Sequence, residues 1–88
     1  MPYIKQDGRG KLEESIKSFD FSKMSIGDLN YIITRLCQEY LNTTGKNYTQ
    51  YNSVVGVLEC AKLELYRRAI APYEDKKIKE NGDVYFKW

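Results

Sequence analysis

Residues 49–71 read TQYNSVVGVLECAKLELYRRAIA and predict one long amphipathic helix. At about 100° per residue, side chains three or four positions apart share a face of such a helix. One stripe consists of Tyr51, Val54, Leu58, Ala61, Leu65 and Ala69. A second row on the opposite side consists of Gly56, Cys60, Leu63 and Arg67. Because every member of this row except Arg67 is small or apolar, we expect a second element to approach the helix there.

Gly56 supports the idea of a second packed side. A glycine inside a helix costs about 1 kcal/mol relative to alanine, so a packing reason for it is plausible. The element that covers the second row could be the N-terminal arm, the first helix or another subunit, and the sequence does not choose among them. We predict Gly56, Cys60, Leu63 and Tyr51 as interface residues. Exposure of this row to solvent in a lone chain would undo the interaction argument and leave a small helical protein with no assigned task.

A short amphipathic helix is predicted over residues 10–19. Leu12, Ile16 and Phe19 follow one another at i, i+4 and i+7, which places them on a single stripe. The GRG sequence at residues 8–10 interrupts the chain before this helix.

A second helix of about four turns is predicted after Ser25, which is a suitable N-cap. Asp28 lies three residues further on, near the positive end of the helix dipole. The helix is expected to end at NTTG, where Gly45 can adopt a left-handed conformation. Its apolar face comprises Leu29, Ile32, Ile33, Leu36 and Tyr40.

Pro72 cannot continue the hydrogen-bond ladder, so we expect the chain to kink or restart there. The sequence PYEDKKIKENG, residues 72–82, then predicts a small helix that is opened by proline and closed by Asn81 and Gly82. The terminal segments are expected to be extended, and either to pair as strands or to dock on the helices. The chain is therefore predicted to be all-α: one helical domain over residues 1–88, an orthogonal or antiparallel bundle of three to four helices around helix 49–71.

The composition is that of a small globular protein. The 88 residues are 42% apolar and 30% charged, with a net charge of +2 and eight tyrosines. A chain of this size buries only roughly 60–65% of its unfolded surface, and oligomerisation is a common remedy. The N-terminus has no hydrophobic region typical of a signal peptide, and no apolar run approaches the ~20 residues of a membrane span. We expect a cytoplasmic protein.

No catalytic residue, metal site or cofactor is predicted. The chain lacks histidine, the usual acid–base residue near neutral pH. Adjacent acids at positions 13–14 and 74–75 point about 100° apart on a helix, so neither pair converges on one atom. Cys37 and Cys60 are too few for a metal knuckle, and we interpret them as buried free thiols in preference to a disulfide. We therefore expect a protein that is not an enzyme.

A small anionic ligand, such as a signalling nucleotide, is one possible partner. Tyr31 and Arg35 lie one turn apart on the polar face of the second helix, and Arg67 and Arg68 end the long one. Tyrosine and arginine together suit an aromatic, anionic group. A surface aromatic–cation pair is the commoner meaning of such a pattern.

Binding to nucleic acid is disfavoured, although basic residues cluster near the end of the chain. The cluster comprises Arg67, Arg68, Lys76, Lys77 and Lys79, with Tyr66 and Tyr73 among them. Basic residues interleaved with tyrosines suit single-stranded nucleic acid. Acidic residues are interleaved as well, and Glu64 is placed to pair with the arginines on the helix surface.

Four segments resemble a family of small bacterial and bacteriophage proteins that carry a domain of unknown function. They are MPYIK, GDLNYIITRL, GVLECAKLELYRR and APYEDKKIKENGDVY. The resemblance covers nearly the whole chain, and it implies a short, mostly helical protein. It implies no activity and assigns no functional residue. NTTGKNYTQ and the terminal FKW fit the pattern least well.

The function predicted from these features is that of a non-enzymatic interaction or regulatory protein that self-associates. The first alternative is a phage-type counter-defence protein that sequesters a signalling nucleotide or inhibits a host protein. The second is a weak nucleic-acid binder.

Overall fold

All regular structure in the described residues is helical. The structure is a computed structural model and describes residues 1–87, in which no strand occurs. Its helices are α1 (Gly10–Lys17), α2 (Ile26–Thr44), α3 (Tyr48–Leu65) and α4 (Ala71–Asn81), with short 3-10 turns at Gln6–Gly8 and Phe21–Lys23. The all-α prediction is confirmed.

Helix α2 begins with a capping box. The Ser25 hydroxyl accepts a hydrogen bond from the Asp28 amide at 3.0 Å, and the Asp28 carboxylate accepts one from the Ser25 amide at 3.0 Å. Two of the amides that a helix N-terminus leaves unpaired are thereby satisfied. The helix ends at Gly45, whose φ of 125° and ψ of 145° give it a positive φ outside the left-handed helical region that we predicted.

A three-residue connector turns the chain back into α3. Asn47 caps that helix, since its side-chain oxygen accepts a hydrogen bond from the Gln50 amide at 3.0 Å. Among residues 1–87, α2 and α3 are the only two α-helices whose backbones approach each other closely. The two helices form a hairpin, and Leu36 and Cys37 of α2 line one groove together with Val54 and Val57 of α3.

Helices α3 and α4 form one nearly continuous rod. Residues Tyr66–Ile70 form a π-helical turn, and the Ala71 amide donates to the Tyr66 carbonyl five residues back. Pro72 follows at once; its ring has no N–H and would clash with the carbonyl four residues before it in an α-helix. The helix therefore widens at the predicted position without breaking. Residues 48–81 would span about 51 Å as a helix, which agrees with the longest dimension of 50 Å.

The isolated chain has almost no core. Of residues 1–87, only Val54 is buried. The radius of gyration is 17.4 Å, whereas a compact domain of this length has about 12 Å. The accessible surface is 8351 Å², whereas a folded monomer of this mass exposes about 5,400 Å². The helices are spread out, and their apolar faces are largely open to solvent.

The expectation that the long helix is enclosed from both sides is wrong for the single chain. A methyl group added at Gly56 would meet no heavy atom within 4 Å. Cys60 is exposed, and Leu63 is 55% exposed. Neither the N-terminal arm nor α1 covers this row, because both lie near the end of α3, beside Ala61 and Leu65. This exposure therefore undoes the interaction argument that we based on the second row.

The terminal segments do not pair as strands within residues 1–87; the N-terminal arm docks on α3, whereas the C-terminal segment stays largely exposed, with Phe86 at 94%. Tyr3 in the N-terminal arm donates a hydrogen bond to Glu64 of α3. The C-terminal segment lies along α4, where Val84 and Tyr85 line a shallow groove with Tyr66. Trp88, the last residue of the C-terminal segment, lies outside the described residues.

Candidate interaction surface

The hairpin of α2 and α3 holds an apolar groove. We call it the α2–α3 groove; it is lined by Leu36, Cys37, Tyr40, Ser53, Val54 and Val57. Its volume is about 310 Å³. No aspartate, glutamate, lysine or arginine is among these lining residues. The groove is an apolar surface without formal charge on an otherwise charged protein.

The groove is open, because its rim is formed by side chains that remain mostly exposed. Leu36 is 61% exposed and Val57 is 63% exposed. The apolar face of α2 extends the open surface, since Leu29, Ile33 and Tyr40 are also exposed. Exposed apolar surface that is contiguous, as here along one helix face, is typical of interaction sites.

Local sequence features explain how the groove is built. The capping box at Ser25 and the Asn47 cap fix where each helix begins, and the connector at residues 45–47 brings the two helices together. Leu36 and Tyr40 are four residues apart, as are Ser53 and Val57, so each pair lies on one side of its helix. The two sides face the same groove.

The predicted interface residues lie in two different places. Gly56, Cys60 and Leu63 lie on the exposed second row of α3. Tyr51 lies apart from them, in another depression, where Cys37 and Leu41 of α2 are also among the lining residues. Sequence reasoning identified Leu36 and Tyr40 as an apolar face but did not predict them as interface residues. It also missed Val57, which lies outside both apolar rows.

Tyr31 and Arg35 adjoin each other on α2, and the Arg35 guanidinium is engaged within the helix. It donates to the side chain of Gln38 and to the Glu39 carboxylate, the latter at 2.8 Å. The pKa of Arg35 is raised, mainly by the hydrogen bond with Glu39 and to a lesser extent by the nearby Tyr31. The site predicted for an anionic ligand thus already holds a carboxylate.

Arg67 belongs to a three-residue cluster with Tyr3 and Glu64. It donates to the Glu64 carboxylate at 2.6 Å and to the Tyr3 hydroxyl at 3.2 Å. The pKa of Glu64 is lowered, chiefly by the hydrogen bond from Tyr3 and to a lesser extent by Arg67. Glu64 in turn raises the pKa of Arg67. The sequence predicted the pairing of Glu64 with Arg67 but not the contribution of Tyr3, which lies 61 residues away in sequence.

Arg68 lines a second groove, between the N-terminal arm, α1 and α3. This groove has a volume of about 630 Å³, and its charged residues are Arg9, Glu13, Glu64 and Arg68. Positive and negative side chains are balanced there, and Arg9 donates to the Ile4 carbonyl at 3.0 and 2.6 Å. Neither Tyr31 nor Arg35 lines it, so this groove does not unite the four predicted ligand-binding residues.

The part of the chain that the structure describes shows no metal cluster or disulfide. No group of three or more histidine, cysteine, aspartate or glutamate side chains converges in it. Cys37 and Cys60 are free thiols; Cys37 is half-buried and Cys60 is exposed, although we predicted both to be buried. Among residues 1–87, no helix combines the length and the apolarity that crossing a bilayer requires.

The fold and this surface describe a small all-α protein with an open apolar hairpin. A family model described as "Domain of unknown function (DUF6899)" matches residues 1–84. The chain belongs to this family, which confirms the resemblance to a domain of unknown function. No curated protein and no solved structure matches the chain.

Proposed function

We propose that this protein is a non-enzymatic interaction protein that acts as a self-associated assembly. The observation that carries the proposal is the absence of a core: only Val54 is buried among residues 1–87, while large apolar side chains are exposed along both α2 and α3. Burial of apolar surface is the main favourable term in folding and in association. A chain that buries so little apolar surface on its own can obtain this favourable free energy by burying the surface in an assembly.

The surface area supports the same proposal. The accessible surface of 8351 Å² exceeds the value for a compact monomer of this mass by about 3,000 Å². A standard interface buries about 800 Å² on each partner, and permanent homodimers bury more. The excess surface is therefore large enough for one substantial interface.

The other predicted functions have less structural support. Arg35 and Arg67 are both paired with glutamates of their own helices, so a ligand would compete with these carboxylates. Nucleotide capture, inhibition of a host protein and nucleic-acid binding stay predictions. A cytoplasmic location belongs to the proposal and is supported by the two free thiols. The bacterial or bacteriophage origin that the resemblance implies also stays a prediction.

Light scattering coupled to size-exclusion chromatography tests the proposal. The expected result is a mass of at least twice the chain mass of 10.3 kDa. A helical circular dichroism spectrum must accompany it, so that an aggregate of unfolded chains is not mistaken for an assembly. A folded species of 10.3 kDa at every concentration tested would contradict self-association.

A further inference from the structure

We propose that two copies of this chain pair through their α2–α3 grooves, so that the two hairpins enclose one shared apolar core of four helices. This inference rests on the proposed self-association and specifies its surface and partner. The second row of α3, which the sequence favoured as an interface, is not among the residues that line these grooves.

The composition of the groove favours this surface over the second row. All six lining side chains of the α2–α3 groove are uncharged. One of them is Val54, the one buried residue among residues 1–87. The second row ends at Arg67, which is held by Glu64 at 2.6 Å. Charged residues are depleted from the centres of interfaces because removing them from water is costly.

A second copy suits the groove in shape and in charge. Helix α2 has 19 residues and α3 has 18, so two hairpins offer four helices of nearly equal length. Such a set of helices matches a four-helix bundle, which is closed by a shared apolar centre. Because no charged side chain lines the groove, two identical grooves meet without repulsion, as a two-fold interface requires.

Two ion pairs of α2 and α3, whose residues do not line the groove, are compatible with this pairing. Arg35 with Glu39 on α2 and Lys62 with Glu59 on α3 form ion pairs within their own helices, at 2.8 Å and 3.1 Å. These charges need no partner from a second chain and can remain in solvent. The interface is therefore apolar at its centre and charged outside it, which is the usual arrangement.

The two cysteines provide an internal probe of this geometry. Cys37 lines the α2–α3 groove, whereas Cys60 lies on the second row. The experiment alkylates the full chain with iodoacetamide and follows each thiol by mass spectrometry. In the assembly, Cys37 is expected to react on the order of tenfold more slowly than in a monomeric reference, because its reaction requires opening of the interface. Cys60 does not line the groove but lies one turn from Val57 on α3, so it is expected to be slowed less than Cys37.

Two valine variants supply the monomeric reference and its control. Val57 lines the groove and is 63% exposed, and Val55 on the same helix lies outside it and is 64% exposed. Val57→Glu places a charge in each half of the symmetric interface and is expected to weaken association roughly hundredfold. Val55→Glu introduces the same side chain into the same helix and is expected to leave the mass unchanged. Circular dichroism establishes that both variants remain helical.

The outcomes separate this inference from the proposed function. An assembly that protects Cys37 more than Cys60 and dissociates with Val57→Glu but not with Val55→Glu supports the pairing. An assembly that protects Cys60 more than Cys37, or that leaves Cys37 as reactive as in Val57→Glu, overturns the pairing and leaves self-association standing. A parent chain that is monomeric at every concentration overturns both. If Val57→Glu unfolds, Val57→Ser serves as the reference, with Val55→Ser as its control.

Discussion

The α2–α3 hairpin and the distal half of the rod use different interactions. In the hairpin, two helices meet across apolar side chains, and the one buried residue of the described chain, Val54, lies between them. In the distal half, the backbone of α4 approaches no other α-helix closely among residues 1–87, and polar side-chain contacts join residues of α4 to each other and to the turn before it. Tyr66 donates to Glu74, and Lys77 lies 3.1 Å from Glu80 and 5.4 Å from the ring centre of Tyr73.

This difference shows where stability is concentrated. Polar contacts at an exposed surface contribute about 0–1 kcal/mol each, since water competes for the same groups. Burial of a single valine contributes about 1.5–3 kcal/mol. The hairpin therefore determines the stability of the chain, and substitutions in the distal half are expected to change local geometry more than stability.

The largest effect is expected from Val54→Asp. The substitution places an unpaired carboxylate in the one buried position and should lower the free energy of unfolding by about 3 kcal/mol. Chemical denaturation followed by circular dichroism measures the change. Val55→Asp, next in sequence but 64% exposed, is the matched control and should cost less than about 1 kcal/mol. Equal losses in both variants would contradict a hairpin held by its apolar contact.

A smaller effect is expected from Ser25→Ala, which removes the hydroxyl that caps α2. The Asp28 amide loses its acceptor, and the helix should be destabilised by about 1 kcal/mol. Thermal unfolding measures the loss. Ser15→Ala removes a hydroxyl from the interior of α1, where alanine is the better helix former, and should not destabilise the chain. A loss of stability in Ser25→Ala no larger than that in Ser15→Ala would show that the cap of α2 contributes little to the stability of the chain.

The contact of the N-terminal arm should depend on pH through Glu64. The pKa of Glu64 is lowered from its ordinary value of 4.5, so the contact is fully present above that pH and is lost as the pH falls through the lowered pKa. Tyr3→Phe removes the hydrogen bond from the hydroxyl and should raise the pKa of Glu64 towards 4.5. A carboxyl titration by NMR measures both. An unchanged titration of Glu64 in Tyr3→Phe would contradict the contact.

The smallest effect on stability is expected from Glu74→Gln in α4. The Glu74 carboxylate, by its hydrogen bond and its charge, raises the pKa of Tyr66 above 10.0. The contact is present below pH 10 and is lost as the pH rises through the raised pKa. In Glu74→Gln, the pKa of Tyr66 should fall towards 10.0, and the melting temperature should change little. NMR titration of the Tyr66 ring is the measurement, and Glu80→Gln, which is not among the groups that shift Tyr66, is the control.

Most of the helical structure could be predicted from local sequence signals. Ser25 and Asp28 predicted the start of α2, Pro72 the disturbance before α4, and Gly82 the end of α4, where φ is 86°. These signals act within a few residues, through hydrogen bonds or through the conformations that glycine and proline allow. The π-helical turn was not predicted, because a kink, a restart and a widened turn all accommodate proline.

The arrangement of the helices could not be predicted in the same way. The second row around Gly56, Cys60 and Leu63 suggested a covered side, but periodicity identifies faces and does not say which face meets a partner. Val57 belongs to neither row and nevertheless lines the α2–α3 groove. The contact of Tyr3 with Glu64 had no local signal, because its partners are 61 residues apart.

The three-residue connector at positions 45–47 also bears on how fast this chain folds. Because it joins the two α-helices that contact each other, the decisive tertiary contact closes a very short loop. Chains dominated by such sequence-local contacts reach their native topology in microseconds to milliseconds, since little chain entropy is lost before contact is made. The hairpin is therefore expected to form faster than two molecules at ordinary dilution can meet.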